Sequence, residues 1–194
     1  MAAFDSIRIG QVSAGSTHSL YLSEDGQVFA SGSNTALQLG IGEAATGLEK
    51  TQTPVLVMGL ESAKVVHISA GCDASACVSD KGELYLWGRG TGGDQSYPQK
   101  AHIIQNFVTD VSLGYDLGVA VDDQGLAWSG GQNAHGELGV GDNEPRLHPF
   151  PILNLKGKLV TRAHCGHSFV VCLGKNICKE LPQQVEEDHS QQTT

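Results

Sequence analysis

Gly71-Cys72-Asp73-Ala74-Ser75-Ala76-Cys77-Val78-Ser79-Asp80-Lys81-Gly82-Glu83-Leu84-Tyr85-Leu86-Trp87-Gly88 reads as two short strands joined by a tight turn. Ala76-Cys77-Val78 is an apolar run, Asp80-Lys81-Gly82 a polar turn, and Leu84-Tyr85-Leu86-Trp87-Gly88 a second run that ends in glycine. Asp-x-Gly between two period-two runs is a hairpin signal, with glycine supplying the positive φ. An alternating run, Val65-Val66-His67-Ile68-Ser69, leads into Gly71, and Gln99-Lys100-Ala101-His102-Ile103-Ile104 follows after a loop. The unit therefore holds four short strands.

The same unit is written elsewhere. Val12-Ser13-Ala14-Gly15, Ile68-Ser69-Ala70-Gly71 and Val111-Ser112-Leu113-Gly114 open three copies, and Thr161-Arg162-Ala163-His164 opens a fourth. In the first three, a second glycine follows the first by 11 residues: Gly15 to Gly26, Gly71 to Gly82, Gly114 to Gly125. The hairpin runs of the first copy are Ser19–Leu22 and Val28–Gly32, and those of the third are Val119–Val121 and Leu126–Gly130. The fourth strands are expected at Pro54–Met58, Gln99–Ile104 and Phe150–Leu153. A period near 50 residues marks one supersecondary unit copied and stacked, and four short antiparallel strands per unit describe a propeller blade.

The reading is an all-β chain of about three and a half β-propeller blades, each of four antiparallel strands. Blades are expected at about 7–58, 63–105 and 108–154, with a half blade at 158–174, so the repeat domain spans 1–174. The polar, acidic segment 175–194 has too little to bury and is expected to be disordered. An open arc leaves exposed strand edges that invite pairing. Two copies of three and a half blades sum to seven, so a homodimer or a hetero-assembly that closes a ring is one expectation. A curved open arc, a shortened form or a piece of a longer chain are the others.

Composition narrows the partner. A net charge of -9 with 12 Lys+Arg argues against direct nucleic-acid binding. No apolar run is long enough for a membrane helix. Five cysteines without a leader-like start fit reduced thiols, so cytoplasm or nucleus is the expected location.

Three motifs carry the match to a known family. Gly15-Ser16-Thr17-His18-Ser19, Gly82-Glu83-Leu84-Tyr85-Leu86-Trp87-Gly88 and Asn133-Ala134-His135-Gly136-Glu137-Leu138-Gly139-Val140-Gly141 resemble the regulator-of-chromosome-condensation repeat. The resemblance runs over roughly residues 7 to 173. It implies a ring of about seven blades. It also implies structural roles for the repeat positions Gly15, His18, Gly26, Gly71, Gly82, Trp87, Gly114, Gly125, Trp128 and His167. The histidine position of the repeat is read as His18 and His167, with Ala74 and Leu117 in the middle units, and its opening glycine is read as His164 in the fourth. The tryptophan position of unit one holds Ala30 or Ser31.

Chemistry is sparse. His164, Cys165, His167, Cys172 and Cys178 have zinc-like spacing, but they also fall on repeat positions, and no metal or cofactor is expected. His18 and His167 are expected to bond a neighbouring loop rather than to move protons. Gly88–Gly93 lacks the Gly-Lys-Ser/Thr ending of a phosphate loop. No catalytic constellation stands out, so the chain is expected not to be an enzyme. Binding is assigned to loops held on a rigid scaffold, with Glu43, Glu49, Lys50, Arg89, Asp94, Asp142, Glu144 and Arg146 as candidates. The expected function is a protein–protein interaction scaffold. The alternative, implied by the resemblance, is guanine-nucleotide exchange on a small GTPase.

Overall fold

A computed structural model describes residues 6–42, 47–90 and 94–176. The first blade is β1 Ile9–Ala14, β2 His18–Ser23, β3 Val28–Ser33 and β4 Lys50–Leu56. The second is β5 Val65–Ala70, β6 Ala74–Ser79, β7 Leu84–Gly88 and β8 Gln95–Lys100. The third is β9 Val108–Leu113, β10 Leu117–Asp122, β11 Ala127–Gly131 and β12 Arg146–Pro151. A short 3-10 turn, Leu153–Leu155, leads into β13 Lys158–Cys165 and β14 Val170–Asn176, which pair only with each other among the described residues. Each full sheet is a simple antiparallel meander in chain order.

Apolar side chains fill the seams between blades rather than a central core. Leu20, Leu22, Val28 and Ala30 of blade one meet Val65, Ile68, Cys77 and Trp87 of blade two in one cluster. Blades two and three share a second cluster around Val78, Leu84, Val111 and Ala120. Blades three and four share a third around Val119, Val121, Val160 and Ala163. Strands alternate between two faces, so each blade offers one apolar set to the blade before it and another to the blade after it.

The inner strands β1, β5, β9 and β13 run side by side. A side chain of each reaches the backbone of the next. Ser13 Oγ accepts from the Ala70 amide, Ser69 Oγ from Leu113 and Ser112 Oγ from Cys165, all at 2.9–3.0 Å. These bonds satisfy backbone groups that a gap between blades would strand. The third bond shows that β13 occupies a full inner position. The arc therefore has three full blades and a half blade, as expected, and the inner strand of the half blade takes a fourth sector around the axis.

Glycines set the spacing between blades. A methyl on Gly71 would stand 2.7 Å from the Gly114 carbonyl oxygen, and Gly15 and Gly114 face the carbonyls of Gly71 and Gly166 in the same way. Across these approaches the Ser16 amide bonds Gly71 O and the Cys72 amide bonds Gly114 O. The hairpin glycines Gly26, Gly82 and Gly125 have φ of 87°, 72° and 74°. Their carbonyls accept from the Val65, Val108 and Val160 amides that open the next blade's inner strand.

Registers correct four sequence assignments. The Gly15, Gly71 and Gly114 amides bond the carbonyl three residues on, at His18, Ala74 and Leu117; in blade four that bond runs from Gly166 to Phe169. Gly166, not His164, is the opening glycine, and Phe169, not His167, fills the histidine position. Gly32 pairs with His18, Gly88 with Ala74 and Gly131 with Leu117. The third strand of blade three thus ends on Gly131, whose φ is 120°, and not on Gly130. Trp128 lies opposite Ala120, the position of Tyr85 opposite Cys77, so it is not the counterpart of Trp87.

The fourth strands also lie earlier than expected. They are outermost, and prolines at 54, 98, 149 and 151 are tolerated there because an edge strand leaves one side unpaired. The apolar residues beyond them, Val57, Leu60, Ile104 and Ile152, are buried in the connections to the next blade. The segment 175–194 begins with Lys175 and Asn176 in β14; its remainder lies outside the described residues.

Candidate functional site: the loop end of the arc

In a meander, the turn after the first strand and the connection after the third emerge at one end. That end carries the short turns at 15–17, 71–73, 114–116 and 166–168, with the described parts of the longer connections at 34–42 and 47–49, at 89–90 and 94, and at 132–145. The candidate residues Glu49, Lys50, Arg89, Asp94, Asp142, Glu144 and Arg146 all belong to it. Glu43 lies outside the described residues.

Buried polar groups hold the long connections. Asn133 is fully buried, and its Oδ1 accepts from the Leu138 amide at 3.0 Å. Its Nδ2 donates to the carbonyls of Asp142 at 2.8 Å and Glu144 at 3.0 Å. Asn34 performs the first of these tasks in blade one, on Leu39, and donates to Leu48 O. Arg146 Nη2 meets Asp142 Oδ2 at 2.6 Å, its Nη1 donates to Glu144 O, and its guanidinium stands over the Phe150 ring. The Glu144 amide and Arg146 hold the Asp142 carboxyl below its usual range.

His18 ties blade one to blade two. Its ring is 3% exposed and its Nε2 lies 2.8 Å from Ser75 Oγ. Ser75 gives its proton to Gln38 O at 2.8 Å, so His18 Nε2 is the donor. Gln38 O also accepts from Trp87 Nε1 at 2.9 Å. His18 Nδ1 has no hydrogen-bond partner, the single such buried side-chain atom among the described residues. Burial pushes the imidazole down to about 4, against a smaller opposite pull from Asp73. A neutral side chain that fixes the connection of blade one is a structural element, with no free proton to trade at neutral pH.

His167 is solvent-exposed instead. Its ring stacks on Tyr115, with centroids 4.4 Å apart, and joins the turns of blades three and four. Cys165 Sγ points at Ser112 O, and burial raises the thiol to about 12. Cys178 lies outside the described residues.

Arg89, Tyr115, Asp116, Gln132, Arg146 and Leu147 converge on one cleft between blades two and three. Arg89 reaches Asp73 at 3.5 Å. Of the candidate residues only Arg89 and Arg146 line this cleft; Glu49, Lys50, Asp94, Asp142 and Glu144 stay outside it. Tyr115 and Leu147 were not read as binding residues from the sequence, yet they are 46% and 68% exposed. Tyr115 carries a usable signal, an aromatic in a three-residue turn where its counterparts in blades one and two are Ser16 and Cys72. A second group without a signal in the sequence is Ser79 and Asp122, which bond the hairpin amides two and four residues on, and Ser23, which bonds the amide four residues on.

Known proteins share this arrangement. The regulator of chromosome condensation (RCC1) repeat matches residues 25–78 and 124–173, and a second description of that repeat matches 10–38. The human E3 ubiquitin-protein ligase HERC2 is 31% identical over 176 residues, 85% of this chain and 4% of HERC2. Human WBSCR16 superposes with a TM-score of 0.78 at 22% identity, over 89% of this chain and 46% of that one. Prp20p of Saccharomyces cerevisiae, whose binding to Gsp1p and histones has been described, gives 0.80 at 22%, over 89% and 45%. The chain spans less than half the length of each. With these repeats, registers and blade seams, the chain belongs to the regulator of chromosome condensation (RCC1) repeat family.

Proposed function

We propose that this chain is a non-enzymatic protein-binding module that engages its partner through the loop end. The cleft between blades two and three supports this most. It brings two arginines beside an exposed tyrosine and leucine, with the blade-three connection anchored by the buried Asn133. Aromatic and arginine side chains on a rigid base are what protein interfaces favour. The net charge of -9 fits a protein partner better than a phosphate backbone.

The second reading is regulation of a small GTPase, and the likeness to Prp20p supports it. The four sectors also bear on assembly. A ring of about seven blades would leave three sectors open, one fewer than a second copy brings. That favours completion by a different chain over a homodimer. Affinity capture with the wild-type chain and with an Arg89→Glu/Arg146→Glu/Tyr115→Ala variant tests the main reading. Partners should be lost from the variant and kept by Lys81→Glu at the opposite end. Equal capture by all three forms would refute it. Accelerated nucleotide release from a small GTPase would promote the second reading.

A further inference from the structure

The seam between blades one and two holds a ring that the seam between blades two and three lacks. Trp87 is 1% exposed and lies against Gly40 and Val57 of blade one. It pairs with Ser75 across its hairpin, and Gly130 pairs with Gly118 at the same place in blade three. Gly130 therefore stands where Trp87 stands. The facing wall is cut back as well. The Val57 amide bonds Val28 O and the Ala101 amide bonds Leu84 O, so Ala101 takes the place of Val57. Gln99 lies opposite Leu86 as Val55 lies opposite Ala30, so a polar side chain replaces a valine. Residues 89–94 join β7 to β8, where the longer connection 34–49 joins β3 to β4 and supplies Gly40.

These reductions leave a groove of about 300 Å³ on the outer side of the second seam. That volume is at the lower end of the range of ligand sites. Leu86, Ala101 and Ile103 line it from blade two, and His148 and Pro149 from blade three. It continues inward as an apolar cleft along Leu84 and Leu86 to Gly118 and Gly130. Ile103 is 51% exposed on its wall. The rim carries Lys100, His102 and His148, and no carboxylate among the described lining residues, in a chain of net charge -9. Lys100 Nζ spends one donor on Glu83 at 2.7 Å and keeps two.

We infer that this groove takes an aromatic side chain of a partner protein, flanked in the partner's own chain by carboxylates. The ring fills the volume that Trp87 fills one seam earlier. The open outer side of the groove leaves the N–H of an indole free to meet water. The carboxylates accept from Lys100, His102 and His148 at the rim. Burial of the ring supplies most of the affinity and the basic rim supplies the choice. This is a contact surface in addition to the loop-end cleft.

The probe is a fluorescein-labelled peptide, Glu-Glu-Gly-Trp-Gly-Glu-Glu, titrated with the full chain by anisotropy. Saturable binding is expected. Alanine in place of the tryptophan, or lysines in place of the glutamates, should weaken it about tenfold. In the chain, Ile103→Asp should weaken binding about tenfold, and its exposure lets the fold tolerate the change. Gly130→Trp should fill the seat from within and displace the peptide. Gly130 does not take a positive φ, and a Cβ there would stand 3.3 Å from the His148 backbone. Amide resonances of Ala101, Ile103 and Gly130 should shift as the peptide is added. Absence of saturable binding up to the solubility limit, equal binding of the alanine or lysine peptide, or equal binding by the folded Ile103→Asp chain would each overturn the inference. The Arg89→Glu/Arg146→Glu/Tyr115→Ala variant keeps this groove, so its failure is separate from that of the proposed function.

Discussion

Lowering the pH from 7 to 5 should weaken this fold through one side chain, His18. The imidazole is buried, donates through Nε2 to Ser75, and keeps Nδ1 against Gly15 with no partner. Protonation would add a second donor where no acceptor waits. Burial holds its folded value near 4, against 6.5 in the open chain. The folded-state value is the lower one, so the unfolded chain takes up the proton first. The stabilisation is complete above pH 6.5 and shrinks as the pH falls toward 4. Linkage gives a loss of about 2 kcal/mol between pH 7 and pH 5, and about 3 kcal/mol by pH 4. Leu117 fills the same position in blade three, so His18→Leu should fold. It should lose that part of the pH dependence. Urea unfolding followed by tryptophan fluorescence at pH 7, 6 and 5 measures both forms. Parallel pH profiles for wild type and His18→Leu would refute the linkage to His18.

Other perturbations follow from the same contacts. Gly71→Ala pushes a methyl into the Gly114 carbonyl and should cost about 1–3 kcal/mol in a thermal melt. Asn133→Ala strands the Leu138 amide and frees the Asp142 and Glu144 carbonyls; about 2–3 kcal/mol is expected, with faster proteolysis of the 142–146 connection. Asp122→Ala removes the acceptor of Trp128 Nε1, Asn106 and two hairpin amides. Denaturant unfolding should show a loss of about 3 kcal/mol, and Trp128 emission should shift.

Much of this architecture was legible in the residues, for identifiable reasons. The 11-residue glycine spacing pins a hairpin in each of three blades, because Gly26, Gly82 and Gly125 must take positive φ and dock the next blade. Among the described residues blade four has no such hairpin, and β13 carries a register shift between Val160 and Arg162. Nothing downstream fixed its frame, so His164 and His167 were set two residues early. Gly130-Gly131 offered two endings for β11, and only the backbone chooses Gly131. The fourth strands were drawn toward Val55–Met58 and its counterparts because apolarity marked burial between blades rather than pairing. The candidate cleft was half legible. Arg89 and Arg146 stood out as loop charges, but their approach across a blade seam, and that of Tyr115, depends on the curvature of the arc.

That curvature rests on blade four being docked as a full sector, and amide hydrogen exchange tests this most directly. The Leu113 and Cys165 amides are bonded alike, to Ser69 and Ser112, and the Ala163 amide is held by Asp110. The four-sector arc predicts that Cys165 and Ala163 exchange as slowly as Leu113, within about an order of magnitude. Exchange of Cys165 and Ala163 at unfolded-chain rates, with Leu113 still protected, would show an arc of three blades and contradict it.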